Sequence, residues 1–281
     1  MAHARGLKAY AVFTADGHAV GWRSARPDLA CVDRAGAPVG DDTVCLELPE
    51  VADGLDRMQE EVHALGAAWD GVVFHPTEAT PLRFNPATAA AFRADTGGEL
   101  AAQPDEALLP WFNERWARAL ARWMAAWQRR RPGLDAIAFN CWWTNADPAV
   151  YARLLPATAR VCVWDYDRDL ARWRDRTLVR WAGALDPARL VVMPSSGGYP
   201  DHGRPPTDEA LRGVDRLLSL ALHLKVRETV LFAGWGAGPA EEQALDRALL
   251  AAASGALAPP TDGLLDALDA DYEATRASLK I

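Results

Sequence analysis

The chain has 281 residues, half of them hydrophobic and 24% charged, a balance that excludes a disordered polypeptide. With 30 basic against 38 acidic residues the formal net charge is −8, and no basic tract offsets it, which argues against a nucleic-acid partner. No apolar run reaches the ~18–20 residues that span a bilayer, and residues 1–7 lack a signal-peptide core, so no membrane association and a cytoplasmic location are expected. A secreted origin with a missing N-terminus is the alternative.

The predicted elements alternate. A strand over Lys8–Phe13 is followed by a possible short one at Thr43–Leu48 and a helix over Val51–Leu65. Asp70–Phe74 is the next strand. Asn85 then reads as an N-cap, with Pro86 at the first position of a helix running to Phe92. Phe112, Trp116, Leu120, Trp123 and Trp127 recur at steps of three and four, which predicts a long amphipathic helix. Strands over Asp135–Asn140, Arg160–Asp165, Arg189–Pro194 and Glu228–Ala233 follow. Helical stripes fall between them at Leu170–Trp181 and Leu211–Ala221, and then come helices at Ala240–Ala253 and Leu264–Leu279. The strands are short, continuous apolar runs, as in a parallel sheet covered on both faces. Strand–helix alternation predicts right-handed βαβ units. No glycine-rich phosphate loop follows any strand, which argues against a nucleotide-binding doubly wound sheet.

The fold class expected is therefore α/β: a (β/α)8-type TIM barrel, incomplete or irregular at its N-terminus. One domain is expected over residues 1–281, with a helical tail from about residue 260. Only six strands are clear, whereas a full barrel needs eight.

In a barrel, function sits where the strands end. Those positions carry His75 and Glu78, then Asn140, Trp142 and Trp143, then Trp164, Asp165 and Tyr166, and later Trp235. Aromatic faces beside carboxylates and amides suit a sugar, which stacks on the ring while its hydroxyls bond to the acids. A tryptophan at a strand end can equally cap the core, and the cluster is stronger support than any member. Glu78 and Asp165 follow non-adjacent strands and form the best candidate pair for glycoside hydrolysis, one as acid and one as nucleophile or base. Glu78 could instead be a solvated loop acid, and Asp165 a salt-bridge partner of Arg168 or Arg172.

Other chemistries find less support. Ser195-Ser-Gly-Gly198 is not a nucleophile elbow, and no HxH or HExxH spacing marks a metal centre, so neither metal nor cofactor is expected. Cys31, Cys45, Cys141 and Cys162 form no CxxC pair. Cys141 and Cys162 read as buried thiols, whereas Cys31 and Cys45 could pair in a secreted protein.

Four segments, in order, carry a resemblance: Arg26–Gly36, Cys45-Leu-Glu-Leu-Pro-Glu50, Trp69-Asp-Gly-Val-Val-Phe74 and Phe84–Gly97. Together they resemble glycosyl-hydrolase-like (β/α) barrels, related in layout to α-galactosidase-type and α-fucosidase-type barrels. The resemblance covers roughly residues 8–150, with a looser continuation to about 240. It implies an acid directly after the Asp70–Phe74 strand, where this chain has His75. For the α-galactosidase type it implies a second acid, which Asp165 matches. Asp165 would then be the general acid and Glu78 the nucleophile or base. His75, Asn140, Trp142, Trp143, Trp164, Tyr166 and Trp235 would contact the carbohydrate. The alternative is a non-catalytic, degenerate carbohydrate-binding barrel, for which His75 is the argument.

Overall fold

The computed structural model describes residues 8–14, 25–39, 44–65, 69–75, 82–141, 146–165, 178–194, 218–226, 228–229 and 270. The chain divides into two compact units, Met1–Ala159 and Arg160–Ile281.

The first unit is built on three parallel strands, β1 (Tyr10–Thr14), β2 (Gly71–His75) and β3 (Asp135–Cys141). Tyr10 pairs with Gly71, and Gly71 with Asp135, so the strands start level, and β3 runs two residues past the other two. Two long connections carry the helices: α1 (Pro49–Ala64) lies between β1 and β2, and α2 (Pro86–Thr96) and α3 (Asp105–Arg130) both lie between β2 and β3. A short helix, α4 (Pro148–Leu154), follows β3.

The tryptophan stripe does what its spacing predicts. Trp116, Trp123 and Trp127 are all buried along α3. Trp123 stacks on Phe74 at 6.4 Å and meets Phe13 edge-on at 6.2 Å. Two of the indole N–H groups are satisfied by α1, with Trp123 donating to Asp56 and Trp127 to Gln59. The steps match along the two helices, so α1 and α3 lie side by side and run in the same sense.

Because Trp123 sits level with the penultimate residues of β1 and β2, the turns of α3 before it lie past the strand ends. There Leu108 and Phe112 join Phe92 of α2 and Leu100 in a small separate apolar cluster. Acids open α3 (Asp105, Glu106) and arginines close it (Arg129, Arg130), matching the helix dipole.

Two local expectations change. Thr43–Leu48 is not a strand in its described part. Val44 makes one antiparallel bridge to Ala30, and a turn follows. Asn85 precedes α2 but does not cap it with its side chain. Its amide instead accepts from the Val32 N–H at 3.1 Å and donates to the Ala30 carbonyl at 2.9 Å. Asn85 thus fastens the 30–32 segment to the start of α2. Gly97 ends that helix at φ 74°, the left-handed turn that favours glycine.

The second unit repeats the parallel pattern. β4 (Arg160–Asp165) pairs with β5 (Leu190–Pro194), which pairs with β6 (Glu228–Thr229). Val161, Val163, Val191 and Val192 are buried. Helix α5 (Arg180–Ala184) and a helical turn at residues 218–223 supply the covering side chains Trp181, Leu218 and Ala221. All six expected strands are therefore present and parallel to their neighbours within each unit. Among the described residues no helix is long and apolar enough to cross a membrane.

Candidate functional site

In each strand–helix connection the chain leaves the sheet at the strand's C-terminal end, the face where barrels place their chemistry. The connection from β1 to α1 brings Glu47 there, and that from β2 to α2 brings Arg83. The early turns of α3 add Arg115.

These three form a buried ionic cluster. Arg83 donates to both carboxylate oxygens of Glu47, from Nε and Nη2, each at 2.6 Å. Both side chains are 3% exposed. Thr88 Oγ1 donates to the same carboxylate at 3.2 Å, and the Cys45 thiol lies 3.4 Å from it. Arg115 Nε approaches from the other side at 3.5 Å. The Arg83 guanidinium also stacks over Phe112, 4.8 Å from the ring centre.

Burial alone would raise the Glu47 carboxyl. The Arg83 charge, its hydrogen bonds and the Arg115 charge more than reverse this, holding the pKa at about 2. Glu47 is therefore ionised throughout the physiological range and has no proton to give.

Beside this cluster opens a cavity of about 380 Å³, lined by Glu47, Arg83, Trp116 and three arginines of one α3 face, Arg115, Arg118 and Arg122. A second hollow of about 580 Å³ on the far side of Arg115 and Arg118 is lined by Trp111, Asp95 and Glu114.

His75 is the last residue of β2, in register with Thr14. Its ring stacks on Phe139 of β3 at 4.6 Å. Asn140 is 1% exposed and sits against the buried Tyr151 phenol. Burial raises the Tyr151 pKa, with hydrogen bonding to Asn140 and Trp116 opposing the rise. Trp164 and Asp165 end β4. Their side chains lie outside the described residues, as do Glu78, Trp142, Trp143, Tyr166 and Trp235 entirely.

Glu47 appears in the sequence only as an acid within a misassigned strand, and Arg83 and Arg115 carry no motif. The available signal is the spacing of Arg115, Arg118 and Arg122, which puts three guanidiniums on one helical face beside the tryptophan stripe. Among the described residues no cluster of three or more His, Cys, Asp or Glu could hold a metal ion.

By sequence, no family profile and no curated protein matches the chain. Solved structures do match in fold. The polyextremophilic β-galactosidase of the Antarctic haloarchaeon Halorubrum lacusprofundi aligns at TM-score 0.56 and 14% identity, over 83% of this chain and 44% of that one. The β-galactosidase of the psychrophilic Marinomonas ef1 aligns at 0.56 and 13%, over 94% and 52%. The cold-adapted β-galactosidase of Rahnella sp. R3 aligns at 0.56 and 12%, over 82% and 40%. The chain thus spans about half or less of the length of these neighbours, and the likeness at such identities is one of fold.

Proposed function

We propose that this chain is a glycoside-hydrolase-like (β/α) barrel that acts on a carbohydrate at the C-terminal ends of its strands. The observation that carries the reading is the likeness in fold to three β-galactosidases, each extending over 82–94% of this chain. Parallel strands with long helical connections support the barrel topology over an open sheet with a nucleotide loop.

In this reading Asp165, at the end of β4, donates the proton to the leaving glycosidic oxygen. Glu78, shortly after β2, attacks the anomeric carbon or activates water for that attack. Hydrolysis needs one carboxyl protonated and one ionised near neutral pH, a division that environment and mutual repulsion enforce. Glu47, kept ionised by Arg83, cannot be the proton donor. Trp142, Trp143, Trp164, Tyr166 and Trp235 would offer apolar faces to the sugar, while His75 and Asn140 would offer polar atoms.

One observation favours a second reading, a binding barrel without turnover. His75 stands where the resemblance implies an acid, and an imidazole cannot form the glycosyl ester that a carboxylate forms.

The deciding experiment is a panel of aryl glycosides, β-galactosides included, with calorimetric binding of the corresponding oligosaccharides. For the enzyme, Asp165→Asn and Glu78→Gln each abolish turnover and leave affinity nearly unchanged. For the binding barrel, the wild type binds sugar without turnover and the same variants alter affinity alone. A chain that neither hydrolyses nor binds any of the panel would overturn both.

A further inference from the structure

We infer that the arginine-lined cavity between α1 and α3 is a binding site for a sugar-sized ligand carrying a carboxylate or phosphate group. Four guanidiniums and one carboxylate line it: Arg83, Arg115, Arg118 and Arg122 against Glu47. Within the lining, cationic groups outnumber anionic ones by three. Arg83 already neutralises Glu47 through two bonds of 2.6 Å, so the surplus belongs to the three α3 arginines.

Those three have other carboxylate partners, none of which lines the cavity. Arg115 pairs with Asp95, Arg118 with Glu114, and Arg122 with Asp56. The last two pairs are exposed on both sides, with Arg118 62% and Arg122 54% exposed against acids of 36% and 51%, so they are loose and a ligand anion can compete for the guanidiniums. Donors remain to spare. Each guanidinium has five N–H groups in a fork suited to a two-oxygen anion. Arg122 uses only Nη2 towards Asp56, at 3.3 Å, and Arg118 directs Nε and Nη2 to a single oxygen of Glu114.

The cavity is also built rather than incidental. Its floor is the Glu47–Arg83 pair, and a pair so buried keeps both groups in one orientation. Arg115 is held between Glu47 and Asp95 and lies over the Trp111 ring at 5.0 Å. Arg83 and Arg115, the two held donors, do not have to be ordered when a ligand arrives. At about 380 Å³ the space falls at the lower end of small-molecule pockets. That admits one sugar-sized unit. The inference does not rest on the proposed carboxylate pair, and binding here does not require glycoside turnover.

The test is calorimetric titration of the intact chain with inorganic phosphate, D-glucuronate, glucose 6-phosphate and neutral glucose. Phosphate alone isolates the anion, and the two sugar acids distinguish a carboxylate source from a phosphate source. At least one anion should bind, and glucose should bind at least about tenfold more weakly. Added salt should weaken the anion and leave glucose unaffected. Arg118→Gln with Arg122→Gln should cost roughly tenfold in anion affinity, and Arg122→Gln alone roughly threefold. Both side chains are more than half exposed, so the melting temperature should stay near wild type. The inference fails if no anion binds, if glucose binds equally well, or if the variants keep full affinity.

Discussion

The Tyr10 hydroxyl reaches across the middle strand of the first unit to donate a 2.7 Å hydrogen bond to the Asp135 carboxylate. Tyr10, Gly71 and Asp135 share one row of the sheet, at the start of β1, β2 and β3. The ring passes over Gly71 so closely that a Cβ there would meet Tyr10 ring carbons at 2.3 and 2.5 Å and the Asp135 carbonyl at 2.7 Å. The glycine leaves room for a cross-sheet tie.

Gly71→Ala should therefore destabilise the chain by about 1–3 kcal/mol, the usual cost of overpacking. Adding Tyr10→Ala should relieve only part of it, because the Asp135 carbonyl is backbone and cannot swing away. Urea unfolding of the single and double variants measures both effects. A neutral Gly71→Ala would show that the row is not packed this tightly.

Arg83→Met should cost about 3–5 kcal/mol, since it leaves the buried Glu47 carboxylate without its two-pronged partner. Replacing both partners, as Glu47→Leu with Arg83→Met, should recover most of that loss. A double-mutant cycle on urea midpoints gives the coupling, and additive losses would count against an ion pair of this closeness.

Stability should also depend on acid through Glu47. Its folded pKa of about 2 lies below the ordinary 4.5, so its contribution is complete above pH 4.5. That contribution is lost as pH falls towards 2 and amounts to roughly 3 kcal/mol. Wild type should accordingly lose more stability than Glu47→Gln between those limits. Parallel stability curves for the two proteins would refute it.

Cys31, Cys45 and Cys162 are free and buried. The pairing of Cys31 with Cys45 that the sequence left open is not made. The two thiols instead share a hydrogen bond, which together with burial pushes Cys31 up. Burial pushes Cys162 up to about 12. The same hydrogen bond holds Cys45 below its ordinary value, so its protection rests on burial alone. All three, being buried, should resist a thiol reagent in the native protein and label fully in denaturant, as peptide mapping by mass spectrometry would show. Rapid native labelling of any of them would contradict this placement.

What could be read in the sequence divides along the range of the interactions. Strands such as Val161–Val163 and the tryptophan stripe of α3 announce themselves because each is a local pattern repeated every few residues. Thr43–Leu48 misleads for the same reason: Val44, Leu46 and Leu48 alternate as in a strand. Val44 and Cys45 are nonetheless buried by a turn that a long-range bridge to Ala30 fixes. Asn85 has the chemistry of a cap, but two backbone groups near Ala30 compete for its amide and win. The Glu47 cluster is the hardest case, because Arg83 lies 36 positions away and nothing local marks either residue as buried. His75 was legible as a strand-end residue, although its stacking on Phe139 was not.

The part of α3 before Trp123 has a further consequence. From Asp105 to Trp123 the helix rises about 27 Å, at ~1.5 Å per residue. Its first turns rest on their own cluster of Leu108, Phe112, Phe92 and Leu100. Such a segment can exchange its amide hydrogens through local opening at a lower free energy than the sheet beneath it. Evolution can therefore retune the guanidinium wall through Leu108 or Phe112 while the strands keep their register, so affinity at the rim and endurance of the scaffold are separately adjustable traits.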